Sequence, residues 1–418
     1  MISLIYKLQR YFKIDFIYLI KGESWLAIGK VVSMAISFVV AWAWANWMDK
    51  GVYGNYQYVL SLVGIISIFS LPEMETATIQ AVARRFEGSF IQGFKTKLKW
   101  GLLGSLSALI IAGYYFFQGN ANLPLVFLVV ALFIFFFNAC LAYTGLLTGR
   151  RLFSVQVKYN AVTQVVAGLV MLLTLFLIKE FFFDLPNYSV LFLIISVYFV
   201  SRTLLRFFFL VRTKRKFSPN TKEDPKTIPY GKKLSFSLVI DFLASSLDKI
   251  LVFHYLGAIE LAVYAFAVLV PEQLHTFIKQ VNTLVMPKFS VRSKARIRAT
   301  ILKKMSYLAL LVSILALAYL IIAPFVYQIF FPKYLDSIPY SRIYALSVIP
   351  LAFSMATVFR AKMMVKQLYQ IRIIVPIIRA GLFLILIPLY GLWGAISAIL
   401  IIRIFAAFLS IFFFKKAF

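Results

Sequence analysis

Apolar runs of about 20 residues alternate with short polar segments along almost the whole chain. A helix rises about 1.5 Å per residue, so about 20 apolar residues cross the hydrocarbon core of a bilayer. The pattern predicts an all-α, polytopic membrane protein with twelve transmembrane helices, numbered here as spans in chain order. The predicted spans cover residues 25–47, 56–78, 99–118, 122–147, 156–178, 187–211, 234–254, 262–286, 305–329, 338–359, 370–389 and 393–414.

The composition supports a membrane protein. The chain has 418 residues, of which 62% are hydrophobic and 14% charged, and its mean hydropathy is +0.88. A soluble domain is about 45–50% apolar and about 25% charged.

Lys and Arg are concentrated in alternate loops. The N-terminus, the C-terminus and the loops that follow even-numbered spans hold 33 of these residues. The loops that follow odd-numbered spans hold 3, and 8 fall within spans. Basic loops stay in the cytoplasm, so this asymmetry predicts that both termini are cytoplasmic. It also accounts for the net charge of +29 without nucleic acid, whose phosphates attract basic proteins.

The first 20 residues are apolar but carry Lys7, Arg10 and Lys13 at helical spacing, and they belong to the predicted N-terminal segment 1–23. This pattern predicts an amphipathic helix along the inner membrane surface. A signal peptide is the alternative, but no small-residue cleavage site follows.

Polar segments outside the spans carry little that could support catalysis. One cysteine, Cys140, and two histidines, His254 and His275, are too few for a disulfide or a metal cluster. No phosphate-binding GxxxxGK[ST] motif occurs, and no large outer loop is available for sugar-transfer chemistry. The sequence therefore predicts a transporter without a cofactor or a metal, and not an enzyme.

The chain divides into two halves at a polar segment, residues 212–233, which its Pro, Ser, Asn and Lys content predicts to be a flexible cytoplasmic linker. The predicted lobes, residues 24–211 and 234–418, contain six spans each and enclose a central cavity. The first outer turn of each half, Trp47–Tyr56 and Tyr255–Tyr264, ends on Tyr, and the two turns lie 208 residues apart. Six spans return each half to its starting side, which predicts parallel repeats.

Three segments resemble a known family. They are SWLAIGKVVSMAISFVVAWAWANWMDKGVYGNYQYVLSLVGIISIFSLPEMETATIQAVARRF (Ser24–Phe86), TGLLTGRRLFSVQVKYNAV (Thr144–Val162) and SSLDKILVFHYLGAIELAVYAF (residues 245–266). The chain resembles the polysaccharide transporter branch of the multidrug/oligosaccharidyl-lipid/polysaccharide flippase superfamily. Met48-Asp49 stands where the family usually has Leu-Gly in the first outer turn.

The resemblance implies a flippase in the bacterial cytoplasmic (inner) membrane. Its substrate would be an oligosaccharide linked to a polyprenyl pyrophosphate of the undecaprenyl type. Alternating access would move this substrate from the inner to the outer leaflet, for assembly of O-antigen (lipopolysaccharide), capsule or exopolysaccharide. The implied partners are the glycan assembly machinery and a coupling proton or sodium ion.

Two polar stripes lie in predicted spans, where a charge is costly unless it is paired or hydrated. In span seven, Asp241, Ser245 and Asp248 share a helix face, and Lys249 adjoins them. The stripe is either an internal salt bridge or the wall of a wet central cavity. In span eight, Glu272, His275 and Lys279 follow Pro271. Glu272 is expected either to pair with Lys249 or a neighbouring arginine, or to couple transport to a cation, sharing a proton with His275.

Span two is the least regular, because Pro72, Glu73 and Glu75 interrupt it. Either a Pro-broken transmembrane helix or a helix end near the cytoplasmic surface explains it. Glu73 is included among the candidate counter-charges, with Asp241, Asp248, Glu272 and His275.

Buried cations are the candidate ligands of a phosphorylated substrate, because a guanidinium matches phosphate oxygens. Arg403 and Arg379 lie about mid-span, whereas Lys30, Arg206 and Arg342 are close enough to span ends to reach an interface. Arg202 precedes Arg206 by one turn in span six. The predicted substrate-binding cations are Arg403, Arg379, Lys249, Lys30, Arg202 and Arg342.

Two other functions remain open. A cation- or proton-coupled drug or small-molecule antiporter could use the same fold, although the excess of buried cations over acids disfavours a cationic substrate. A membrane-embedded glycosyltransferase or polymerase would need an extended outer loop.

Overall fold

The computed structural model describes residues 16–120, 122–182, 184–276, 294–362 and 364–417, and these residues form helices and connecting turns without any strand. The α-helices are α1 Phe16–Trp47, α2 Lys50–Ile66, α3 Met74–Ala83, α4 Ser89–Phe117, α5 Pro124–Ala139, α6 Tyr143–Gly149, α7 Phe153–Phe181, α8 Asn187–Phe217, α9 Thr227–Ser237, α10 Val239–Leu256, α11 Ala258–Leu269, α12 Lys294–Phe330, α13 Ile338–Leu346, α14 Ala356–Ala361 and α15 Val365–Ala417. Short 3₁₀ segments lie at Ser67–Ser70, Cys140–Ala142, Pro332–Ser337 and Ile349–Phe353.

Eight of the described helical stretches are long and apolar enough to cross a membrane, and two shorter apolar helices cover Val32–Trp47 and Ala258–Leu269. Among the described residues, each of the twelve predicted spans falls mainly on one or more helices, while residues 277–286 of span eight lie outside the described part of the chain. Spans eleven and twelve are fused in α15, which is two helical segments meeting at Gly391. There the backbone adopts φ 57° and ψ −134°, a left-handed conformation that favours glycine. The prediction of an all-α polytopic membrane protein is confirmed.

Span two is broken where the sequence predicts an irregularity. Helix α2 ends at Ile66, a 3₁₀ segment follows, and Leu71 adopts a left-handed φ of 49° before Pro72. Helix α3 then begins at Met74. The break matters for the architecture, because the two helices on either side of it belong to different compact units.

The described residues group into two compact units. Unit 1 contains residues 16–47 and Ile66–Leu238, and unit 2 contains Met48–Ile65 and residues 239–417. In unit 1, α4 packs along α5, α1 along α7, and α3 between α6 and α9. In unit 2, α10 packs along α15, while α13 contacts α11, α12 and α15. The predicted boundaries of two six-helix lobes, 24–211 and 234–418, stay a prediction.

The segment 212–233 differs from the flexible linker that its composition predicts. Helix α8 continues to Phe217 and α9 begins at Thr227. Between them, Asp224 pairs with Arg84 at 2.5 Å, and its backbone N–H donates to Ser89 at 2.9 Å. Hydrogen bonding from the Lys226 backbone, together with Arg84, lowers the pKa of the Asp224 carboxyl. Tertiary hydrogen bonds therefore order a segment that looks like a linker in sequence.

Close contact between α4 and α5 depends on Gly101. A side chain there would come within 2.8 Å of the Phe135 Cα and 2.9 Å of its carbonyl oxygen, whereas Gly113 on the same helix faces open space. We expect Gly101→Val to lower the free energy of unfolding by about 1–3 kcal/mol, the usual cost of overpacking. Gly113→Val is the matched control, and thermal unfolding of both purified variants measures the difference. Equal melting temperatures would contradict the prediction.

Candidate intramembrane charge site

The first cluster of polar side chains in unit 2 is centred on Glu272, which lies in a helical turn at residues 271–276. Arg403 donates from Nη2 to Glu272 Oε2 at 3.1 Å. Tyr344 donates its hydroxyl to the same oxygen at 2.6 Å, and His275 Nδ1 lies 2.6 Å from Oε1. Arg403 also donates to the Tyr344 hydroxyl at 2.8 Å and to Ser347 Oγ at 3.0 Å. The guanidinium is therefore held by Glu272 and by two residues at the C-terminal end of α13, Tyr344 and Ser347.

The second cluster joins α10 to α15. Asp248 Oδ2 accepts a hydrogen bond from the Tyr264 hydroxyl at 2.7 Å and lies 3.6 Å from Arg379 Nη2. Asp248 Oδ1 and Arg379 Nε are both buried without a described hydrogen-bond partner. Arg379 also covers the Phe383 ring at 5.3 Å. This is a buried ion pair with spare hydrogen-bonding capacity on both partners.

Lys249 connects the two clusters electrostatically. Its Nζ donates to Gln57 Oε1 at 3.0 Å, and it interacts with the charges of both Asp248 and Glu272. Three cations thus share two carboxylates, which leaves an excess of one positive charge. An excess of positive charge in an apolar surrounding favours the entry of an anionic group.

The structure brings together Arg403, Arg379, Lys249, Asp248, Glu272 and His275 among the predicted site residues. The other predicted residues lie apart from these clusters. Asp241 is partly exposed and interacts with Arg372. Arg342 donates to the Leu320 carbonyl at 2.9 Å. The side chain of Lys30, like Lys279, lies outside the described residues.

The remaining two predicted residues belong to unit 1. Arg202 lies over the Tyr198 ring at 4.3 Å and reaches Gln164 at 3.4 Å. Glu73 flanks the start of α3, and its backbone N–H donates to Ser235 Oγ at 3.1 Å.

Sequence reasoning missed the uncharged members of the clusters. Tyr344, Tyr264, Ser347 and Gln57 each bond a charged group. The chain contains 23 tyrosines, so nothing in the residue type marks these two. Only their positions could have indicated a role, since Tyr264 and Tyr344 each lie in a predicted apolar span that also contains a charged residue.

Unit 1 holds a further buried charge, Lys97, in the segment that the sequence predicts to be the loop between spans two and three. Lys97 is only 4% exposed and interacts electrostatically with Glu75. Glu75 in turn accepts a hydrogen bond from Thr144. Arg206, on α8, donates to the Phe137 carbonyl at 3.1 Å and covers the Phe137 ring.

The clusters consist of cationic side chains and the carboxylates that they contact. Among the residues that the structure describes, no group of three or more His, Cys, Asp or Glu side chains could hold a metal ion. The arginines and lysine are instead paired cations in apolar helices, which can exchange a carboxylate partner for another anion.

Comparison with known proteins identifies the family. A family model described as polysaccharide biosynthesis protein matches residues 19–290. The chain belongs to this family. No protein of curated function matches the sequence significantly.

Solved structures share the fold of this polysaccharide biosynthesis family member. The lipid II flippase MurJ, in an inward closed conformation, superposes with a TM-score of 0.72 at 14% identity, covering 93% of this chain and 87% of MurJ. An inward-facing multidrug resistance MATE family transporter of the MOP superfamily gives 0.69 at 13% identity, covering 92% and 94%. A MOP superfamily transporter from Pyrococcus furiosus gives 0.62 at 13% identity, covering 95% of both chains.

These findings confirm the resemblance to the polysaccharide transporter branch of the flippase superfamily. At such low identity the structural likeness shows the fold alone. The three compared proteins are a flippase and two transporters. The chain itself is a multi-pass membrane protein of the polysaccharide biosynthesis family.

Proposed function

We propose that the chain is a flippase for an oligosaccharide linked to a polyprenyl pyrophosphate, moving it from the inner to the outer leaflet. The observation that supports this most is the pairing of Arg379 and Arg403 with carboxylates inside apolar helices. The pyrophosphate headgroup is the anion whose geometry and charge fit these guanidinium groups.

The carboxylates act as counter-charges when the substrate is absent. Asp248 and Glu272 pair with the two arginines, which avoids burying unpaired cations. An incoming pyrophosphate displaces them, and its departure restores the pairs, so that the empty transporter can reset by alternating access. Glu272 with His275 is the group through which a proton would couple to this exchange.

A cationic drug or small molecule fits the site less well. Two carboxylates face three cations across the clusters of unit 2, so a cationic substrate would meet repulsion. The proposal accordingly gives this chain no enzymatic role and no metal. It places the protein in the bacterial cytoplasmic membrane with both termini in the cytoplasm, working with the machinery that assembles O-antigen, capsule or exopolysaccharide.

Complementation tests the function. The chain is expressed in bacterial strains that each lack one polysaccharide flippase, and surface glycan is measured by lectin or antibody staining. Restored glycan in at least one strain is the expected result. A parallel strain lacking drug efflux pumps is scored for tolerance to cationic dyes. Restored dye tolerance without surface glycan in any strain would overturn the proposal in favour of the antiporter.

A further inference from the structure

Unit 1 contains a cavity of about 800 Å³ that plays no part in the charge clusters of unit 2. It is lined by three arginines, Arg85, Arg150 and Arg151, by Glu87, and by apolar side chains that include Leu152 and Phe217. These residues lie in the loops between spans two and three, four and five, and six and seven, which the charge distribution predicts to be cytoplasmic.

Two helices end at the cavity in the same way. Helix α3 is followed by Arg84-Arg85-Phe86, and α6 by Arg150-Arg151-Leu152. The second arginine of each pair adopts a left-handed backbone, with φ 73° at Arg85 and 60° at Arg151. In both, its N–H and that of the next apolar residue bond back to the helix, at 2.8 to 3.0 Å. Both helices thus close with the same C-terminal capping motif.

Glycine is the residue that this capping position favours, since a side chain is strained at positive φ. A cation near a helix C-terminus is also stabilised by the helix dipole. Arg84 and Arg150, one position earlier in each pair, already provide this interaction. The backbone is strained at Arg85 and Arg151, and the presence of arginine there instead of glycine points to a use of the guanidinium group itself.

The two arginines of each pair have different surroundings. Arg84 pairs with Asp224 at 2.5 Å, and Arg150 binds Glu87 through two nitrogens at 2.7 and 2.6 Å. Neither Arg85 nor Arg151 forms an ion pair with any residue that the structure describes.

The cavity therefore carries an excess of positive charge. Hydrogen bonding from Arg150 holds the pKa of Glu87 below its ordinary value, and the charge of Arg85 acts in the same direction, so this carboxylate stays ionised. Three arginines against one glutamate leave an excess of two positive charges around the cavity.

We propose that this cavity is a binding site for an anion that carries phosphate groups, with Arg85 and Arg151 as its direct ligands. Guanidinium groups bind phosphate oxygens through paired hydrogen bonds, and Leu152 and Phe217 provide an apolar wall for the rest of the ligand. The phosphate can belong to an anionic phospholipid of the inner leaflet or to a soluble polyphosphate. The site is independent of the transport substrate.

The test measures the melting temperature of the purified full-length chain in nanodiscs by intrinsic tryptophan fluorescence. A ligand that binds only the folded protein raises this temperature as its concentration rises. One arm titrates inorganic pyrophosphate into phosphatidylcholine nanodiscs, and the other replaces part of the phosphatidylcholine by phosphatidylglycerol. In the pyrophosphate arm every protein also carries Arg403→Ala, which removes a ligand of the proposed transport site for pyrophosphate. The test variant is Arg85→Gly/Arg151→Gly, because glycine suits the left-handed backbone and keeps the fold. Arg215→Ala, an exposed arginine of α8 outside the cavity, is the control.

We expect the wild type and Arg215→Ala to be stabilised in at least one arm. The double glycine variant should keep or raise its basal melting temperature. It should need at least about tenfold more ligand for the same shift, since the loss of one charged hydrogen bond lowers the affinity by about that factor. A shift with pyrophosphate identifies a soluble ligand, and a shift only with phosphatidylglycerol identifies a lipid headgroup. No shift in either arm, or an equal shift in the double variant, would overturn the proposal.

Discussion

Replacing Arg403 by alanine is expected to reduce transport of the lipid-linked oligosaccharide by about 100-fold or more. Arg403 donates to Glu272, Tyr344 and Ser347 in the resting site. If two of these hydrogen bonds are transferred to a pyrophosphate, each is worth about 1.5–3 kcal/mol, and their loss amounts to at least two orders of magnitude. The assay is surface glycan in a complemented strain, at expression levels matched by immunoblot.

A second variant separates this role from a structural one. Removing Arg403 alone leaves Glu272 without its cation, but the Glu272 side chain is 37% exposed and keeps Tyr344 and His275 as partners. The destabilisation should therefore be about 1–2 kcal/mol, below the cost in a fully buried pair. Arg403→Ala/Glu272→Gln should recover most of that stability and none of the transport.

Arg360→Ala is the matched control for Arg403→Ala. Arg360 is an exposed arginine at the end of α14, and its removal should leave surface glycan unchanged. If Arg403→Ala retained wild-type glycan at equal expression, Arg403 would not be a ligand of the substrate.

Much of the architecture follows from the length of the apolar stretches in the sequence alone. Wherever the structure describes them, the twelve predicted spans fall mainly on helices, because a stretch of about 20 apolar residues has no other stable form in lipid. The interruption at Pro72 and the charged positions within spans are likewise visible in the sequence. Costly groups such as Arg379 and Arg403 had to be compensated, so their involvement in ion pairs could be anticipated.

The identity of each partner could not be anticipated. Lys249 neighbours Asp248 in sequence, yet it bonds Gln57, whereas Asp248 contacts Arg379, 131 residues further along the chain. Adjacent residues on a helix point in different directions, so the choice of partner depends on which helices pack together. Tertiary contacts likewise determine that Met48–Ile65 belongs to unit 2. They also determine the conformation of residues 218–226, between α8 and α9.

Exchanging the charges of Asp248 and Arg379 is the second decisive experiment. Asp248 is 8% exposed, and the two side chains lie 3.6 Å apart. We expect Arg379→Asp alone to place two carboxylates together and to lower the free energy of unfolding by about 3–5 kcal/mol, as for breaking other buried pairs. Asp248→Arg alone should do the same, with two guanidinium groups facing each other.

The double variant Asp248→Arg/Arg379→Asp restores an attractive pair and should recover most of the melting temperature of the wild type. Transport should stay low, because the cation has moved from α15 to α10 and lies beside the Tyr264 hydroxyl, which donates to a carboxylate in the native site. Thermal unfolding and surface glycan, measured on the same four proteins, distinguish the two roles. Recovery of both stability and transport would mean that Asp248 and Arg379 only hold α10 against α15, and Arg379 would then be removed from the proposed substrate site.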